Sequence, residues 1–390
     1  MKKTQYKVSR PKELETSKDD LTRAVRKSNS KGKKRTLFTL FCIAGALFYL
    51  AFFGGVKLTE YIDANYQSSF EFPEEASIET ESKYNATISY KEYGPITIQR
   101  YFLARDASLQ DLVDQKYSEY SAFEDQKYND DTKTISKDGM VVDLFSDNRE
   151  VVAIEYDYAK SEHAKYIVES FKFAPEEEAT VDYTGDDYKN LLERLVYSNI
   201  ATAKDAEITG DGKADEYIRQ KALERGYAVR GVANNIDTLG YYEDYPLQAS
   251  AGEAFLDMQK ALKNDDAPIV LLSGFRSTKT QAELFISRLG QFTAQQIIDG
   301  KADKAIEEVL STTAAPGMSK HHSGFTVDIT SPGYVLETFD KSPAFEWLSK
   351  DDYANAKKYG FIPSYPEEVE NQGPNPEAWE YVYVGQEVLK

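Results

Sequence analysis

Residues 315–329 read A-P-G-M-S-K-H-H-S-G-F-T-V-D-I. The run F-T-V-D-I is strand-like, Gly324 permits a sharp bend ahead of it, and His321 and Asp328 stand seven residues apart across that bend. A bend leading into a strand brings these two metal-competent side chains to one point. The spacing alone leaves open that Asp328 caps a neighbouring element and that both histidines are exposed. His322 is a poor second ligand beside His321, because neighbours in an extended chain point to opposite sides.

Upstream, P-I-V-L-L-S-G-F-R-S (268–277) predicts a buried strand that ends in a polar loop carrying Arg276, with a helix over 280–289 behind it. An amphipathic helix from about residue 247 through 262 precedes that strand. A helix over 188–200 and the turn at Gly210-Asp211-Gly212 lead in. Downstream, N-P-E-A-W-E-Y-V-Y-V-G (375–385) contributes two carboxylates, Glu377 and Glu380. The expected unit is a domain over 175–390 with a small antiparallel sheet flanked by helices, of the α+β class.

The preceding stretch, 84–174, is patterned mostly with period two. N-A-T-I-S-Y, P-I-T-I-Q-R-Y-F-L-A, M-V-V-D-L-F-S and V-V-A-I-E-Y-D-Y predict strands, and 109–123 and 162–171 predict helices between them. This is a second, smaller α+β domain. Its His163 lies among charged residues and reads as a solvated surface side chain, and no catalytic constellation falls here. The expected role is a spacer or interaction module.

The chain has 390 residues, of which 41% are apolar and 13% aromatic, with a formal net charge of -18. Such a length suits two folded units with connecting segments. The acidic balance and negative mean hydropathy argue against nucleic-acid binding and against a polytopic membrane protein. Basic residues gather instead in the first 35, ending in Lys31-Gly32-Lys33-Lys34-Arg35, and an uncharged run follows over 37–56. That run is long enough to span a bilayer once. The basic leader is too long for a cleaved signal peptide, and Ala44 and Ala46 lie within the apolar run. The expectation is a cytoplasmic tail (1–35), a transmembrane signal anchor (36–57), an acidic spacer (58–83) with little to bury, and both folded domains outside the cell. Cys42 is the sole cysteine, so no intramolecular disulfide forms, which fits a Gram-positive bacterial surface.

Four blocks in order, S-G-F-R-S-T-K-T-Q (273–281), 315–329, Y-G-F-I-P-S-Y-P (359–366) and E-A-W-E-Y-V-Y-V-G (377–385), resemble the VanY-type D-alanyl-D-alanine carboxypeptidases over residues 186–390. These are zinc peptidases of the superfamily that also holds lysostaphin-type enzymes and hedgehog domains. The resemblance implies His321 and Asp328 as the first two zinc ligands and Glu377 as the general base. It implies Arg276 as the holder of the substrate carboxylate or oxyanion, with Gln281 and Ser319 lining the same pocket. The third ligand of the family is a histidine, and Glu380 stands in its place. A carboxylate binds zinc at nearly the bond length of imidazole, so His321, Asp328 and Glu380 form a possible ligand set. Two anionic ligands quench the ion's charge more than one does, which predicts a weaker Lewis acid. Without metal, Asp328, Glu377 and Glu380 crowd together and raise one another's pKa. Val382 is a second departure, at a position where relatives often carry arginine.

Three functions from different classes follow. One is a membrane-anchored zinc carboxypeptidase trimming D-alanine from peptidoglycan stem peptides. Another is a catalytically impaired pseudopeptidase that binds peptidoglycan or regulates. The third places the function in 84–174, as a scaffold for wall-synthesis or division proteins.

Overall fold

Alternation of apolar and polar side chains builds the sheet that carries the site. The computed structural model describes residues 56–63, 68–123, 131–147, 149–160, 162–173, 183–198, 200–203, 206–234 and 238–389. The basic tail and, but for Val56, the apolar run 37–56 lie outside the described residues. Among the described residues no helix is long and apolar enough to cross a membrane. The chain divides into two compact units, one of residues 1–79, 87–97 and 156–177, the other of 80–86, 98–155 and 178–390.

In the first unit, Leu58–Ile62 and Ser68–Pro73 pair antiparallel, Lys172–Phe173 joins the far edge, and the helix Ala164–Ser170 packs on Ser68–Pro73. The stretch expected to be an acidic spacer therefore carries strands. Phe70 and Phe72, two apart on one face, are buried at 3% and 7% exposure, and that pairing outweighs the surrounding acidic residues. His163 is also not the solvated residue expected, being 3% exposed. Tyr90 and Tyr93, distant in sequence, stack on each other and place their rings 5.5 and 5.2 Å from the imidazole.

In the second unit, the helix Gly185–Arg194 opens on a capping box, in which the Thr184 hydroxyl accepts from the Asp187 N–H and the Asp187 carboxylate accepts in return. It stops short of the expected residue 200, because Leu195–Val196 turns extended and pairs in parallel with Phe102 and Leu103. The helix expected over 109–123 likewise ends at Lys116.

Four strands form the sheet of interest: β1 (Val270–Ser273), β2 (Thr326–Thr330), β3 (Phe361–Tyr365) and β4 (Glu377–Tyr383), in the order β1-β2-β4-β3 and antiparallel throughout. On β2, Val327 and Ile329 point into an apolar core with Tyr381 and Tyr383 of β4. Helices α1 (Ala249–Asn264) and α3 (Pro343–Lys357) cover that face, and Phe255, Met258 and Leu262 supply the α1 side of the packing. α2 (Thr278–Leu289) follows β1 as expected. β1 is an edge strand, so Val270 and Leu272 stay 37% exposed while Leu271 is buried, and the run is only half as buried as its composition suggests.

Phe255 is fully buried at the centre of this core. Phe255→Ala should cost about 3–5 kcal/mol of unfolding free energy, read as a lower urea midpoint with an unchanged slope.

Candidate metal centre

Alternation along β2 sends Thr326, Asp328 and Thr330 to the face opposite the core. Asp328 sits directly across from Glu380 on β4. Such cross-strand partners have close Cβ atoms, so the sheet register alone brings two carboxylates together. His321 arrives from the other side. It lies in a single 3-10 turn, Lys320–Ser323, that Gly324 closes in the left-handed conformation (φ 78°). A side chain at 324 would be strained there and would press on Gln248 and Leu239.

His321, Asp328 and Glu380 each offer one ligand atom, and these atoms lie within 4.8 Å of one another. His321 Nε2 is 3.3 Å from Asp328 Oδ2 and 3.3 Å from Glu380 Oε2. Tetrahedral zinc with bonds of about 2.0–2.1 Å sets its ligand atoms roughly 3.3–3.4 Å apart, so these edges fit such an ion. The supporting contacts fit as well. His321 Nδ1 is 2.6 Å from the Gly274 carbonyl, which places the proton on Nδ1 and leaves Nε2 to face the two carboxylates. Ser364 donates to Glu380 Oε1 at 2.5 Å, leaving Oε2 toward the centre. Asp328 Oδ2 faces His321, and Oδ1 is buried without a hydrogen-bond partner among the described residues.

The protonation pattern follows from burial. Burial by itself would lower His321, but the Asp328 carboxylate beside it and the contact with Glu380 raise it to about 9. Burial would raise Glu380, but its bond to His321, the nearby Lys320 and the Ser364 hydroxyl bring it down to about 2. At Glu377 the pull of Lys320 is outweighed. Burial and the neighbouring Glu380 and Asp328 carboxylates push it well above the ordinary range. The expected crowding of three carboxylates is thus relieved in the metal-free site by an imidazolium at His321 and a proton at Glu377. Lys320, also buried, donates to the Ser364 carbonyl at 2.6 Å and is lowered to about 7 by loss of water.

The other expected residues fall around this centre. Arg276 lies 3.6 Å from Asp328, and its guanidinium is steadied by Gln281 Oε1 and Ser273 Oγ, both at 3.0 Å. Gln281 is itself fixed, donating to the Ala314 carbonyl at 2.7 Å. Ser319 is buried at the start of the 3-10 turn, where its carbonyl accepts from the His322 N–H. Both histidines are buried rather than exposed. His322 stands apart from the metal-competent cluster and ties the loops together. Its Nδ1 is 2.6 Å from the Arg276 carbonyl and its Nε2 accepts from the Gly317 N–H, while burial lowers it to about 4, so it stays neutral.

Ser273, Ser364 and Lys320 escaped the sequence reading. Ser364 carried a faint signal, a hydroxyl alternating with Phe361, Pro363 and Tyr365 along β3, but its facing of Glu380 depends on a register shift between Pro363 and Tyr365.

Part of the chain is similar to known carboxypeptidases. Residues 244–386 match the family model of VanY, D-alanyl-D-alanine carboxypeptidase. A D-alanyl-D-alanine carboxypeptidase of Enterococcus faecalis is 30% identical over 130 residues, 33% of this chain and 45% of that protein. The putative carboxypeptidase YodJ of Bacillus subtilis is 29% identical over 148 residues, 37% of this chain and 48% of that one. The chain thus spans less than half the length of these relatives. Among solved structures, VanYB in complex with D-alanine-D-alanine is 26% identical, covering 44% of this chain and 86% of that one at a TM-score of 0.32. The LdcB LD-carboxypeptidase is 26% identical, covering 37% and 62% at a TM-score of 0.30. Over residues 244–386, which hold this centre, the chain is similar to the VanY-type D-alanyl-D-alanine carboxypeptidases.

Proposed function

We propose that this chain is a membrane-anchored zinc carboxypeptidase that acts outside the cell on peptidoglycan stem peptides ending in D-alanine. The observation that carries the reading is the convergence of His321, Asp328 and Glu380, with both carboxylates 3.3 Å from His321 Nε2 and a buried carboxyl, Glu377, beside them. The zinc would be held by those three residues, and when bound it supplies a Lewis acid and lowers the pKa of water at its open position.

Glu377 acts as the base. A cation bound among Asp328, Glu380 and His321 removes the negative field that keeps Glu377 protonated, so the carboxylate becomes free to accept a proton from the attacking water. The same carboxyl then hands that proton to the departing amine. Arg276 faces the site with its guanidinium held by Gln281 and Ser273, which fits it to receive the terminal carboxylate of the peptide. Exclusion of water from this buried corner strengthens each of these interactions.

One observation favours a second reading, a catalytically impaired module that binds peptidoglycan. The imidazolium of His321 already neutralises Asp328 and Glu380 in part, so the site is close to electrostatic balance without an ion. The two readings separate on variants of the ligand and the base. Under the enzyme reading, Glu380→Ala lowers zinc affinity by orders of magnitude, Glu380→His raises turnover, and Glu377→Gln keeps the metal while abolishing release of D-alanine from a pentapeptide stem. Zinc should raise the melting temperature of the wild type and not of Glu380→Ala. Absence of any rise in the wild type would rule out the enzyme.

Zinc must displace the His321 proton, so its affinity should fall as pH drops below about 9. Release of one proton corresponds to about tenfold in affinity per pH unit over that range. Calorimetric titration in buffers of different ionisation enthalpy measures the proton count, and a pH-independent affinity would contradict the assignment of His321 as a ligand.

The membrane anchor proposed over 37–56 rests on the basic leader and the uncharged run. Protease added to intact protoplasts should remove the folded domains, and full protection would reverse the orientation.

A further inference from the structure

Beside the metal centre, on the same face of the sheet, a chamber of about 170 Å³ lies among Lys116, Glu193, Arg230, Lys320, Thr326 and Val382. A single water needs only about 10–15 Å³ of such space. Thr326 and Val382 face each other across β2 and β4, two residues from Asp328 and Glu380 and on the same side. Thr326, Val382 and Lys320 are buried and form the inner end, while Lys116 is exposed at the rim.

Its charge is opposite to that of the molecule. Three basic side chains meet one carboxylate there, in a chain of net charge -18. That carboxylate, Glu193, is taken by Arg230 at 2.7 Å. Lys116 and Lys320 donate only to backbone carbonyls, those of Glu193 at 2.8 Å and Ser364 at 2.6 Å, and neither has an ion-pair partner among the described residues. Arg230 Nε and Thr326 Oγ1 are buried and have no hydrogen-bond partner among the described residues. Unmet donors in a recess of net positive charge cost free energy that an anionic guest recovers. Val382 adds an apolar wall, which suits an organic anion with a small aliphatic body.

We propose that this chamber is a binding site for a small carboxylate anion, distinct from the carboxylate position at Arg276. Arg230 and Lys116 provide the charge, Thr326 Oγ1 donates a hydrogen bond, and Val382 packs against the aliphatic part. The guest is a free small carboxylate or a carboxylate borne by a longer peptide, and the chemistry of recognition is the same for both. The site stands on its own residues and does not rest on the peptidase reading.

Trifluoroacetate followed by fluorine NMR on the full-length, metal-free chain tests it. Saturable binding with a Kd in the millimolar range is expected, retained in Arg276→Met and weakened about tenfold in Arg230→Gln, the loss of one charge-assisted hydrogen bond. Arg230→Gln also breaks the pair with Glu193 and can unfold the protein, so Thr326→Val, equal in shape and neutral to that pair, carries the test independently. It should weaken binding several-fold. No saturable binding in the wild type, loss of binding in Arg276→Met, or unchanged binding in Thr326→Val overturns the proposal. A peptide with an internal side-chain carboxylate that displaces the probe, where its amide does not, identifies a peptide guest. Displacement by acetate alone identifies a free anion, and both results support the site. Failure to bind zinc or cleave stem peptides would leave all of these readings unaffected.

Discussion

Three carboxylates, Asp328, Glu377 and Glu380, share the buried end of one sheet, and their mutual repulsion at this buried position is the constraint from which the rest of the site follows. Asp328 and Glu380 are fixed as cross-strand partners, so neither can retreat. The fold answers with positive charge at three points: His321 between the two carboxylates, Arg276 against Asp328, and Lys320 behind Glu380. Glu377, on which Lys320 acts more weakly than burial and the two neighbouring carboxylates, takes a proton instead. A divalent cation would substitute for the imidazolium proton and weaken the negative field at Glu377, which couples the metal to the readiness of the base.

Precision in this arrangement comes from hydrogen bonds to groups that have no part in the chemistry. The carbonyls of Gly274 and Arg276, adjacent to β1, orient the two histidines and assign them different duties. His321 turns its free nitrogen toward the acids. His322 spends both of its nitrogens on the backbone and so braces the 3-10 turn that presents its neighbour. Gln281 and Ser273 hold the Arg276 guanidinium in the same way. A side chain whose rotamer is already paid for by such contacts loses little entropy when a ligand arrives.

The two faces of β2 divide the labour within a single strand. Val327 and Ile329 anchor the strand in the apolar core, and Asp328 between them projects onto the polar face with Thr326 and Thr330. Because that face is buried as well, every polar group on it requires a partner. Around Asp328 and Glu380 the surplus is negative; around Thr326 and Val382, one step along the same strands, it is positive. The proximity of the two environments keeps the local charge closer to neutral than either has alone.

The elements that repeat a short pattern were legible in the sequence. The strand 326–330, the bend at Gly324, the helix after β1 and the metal-competent trio His321, Asp328 and Glu380 follow from alternation, a glycine and the donor chemistry of the residues, helped for Glu380 by family resemblance. What the sequence could not state is which side chain meets which across distances of tens of residues. The burial of His163 depends on tyrosines some 70 positions away, the early end of the helix Gly185–Arg194 on the strand at Phe102, and the strand Ser68–Pro73 in the acidic 58–83 stretch on its distant partner Lys172–Phe173. Ser364, Lys320 and Arg230 are unremarkable letters until tertiary packing removes their water, because desolvation and proximity, not residue type, set the strength of an electrostatic interaction. The sequence by itself determined which residues are metal-competent and the strand that carries Asp328; the tertiary structure alone decided their protonation, their partners and the cationic chamber beside them.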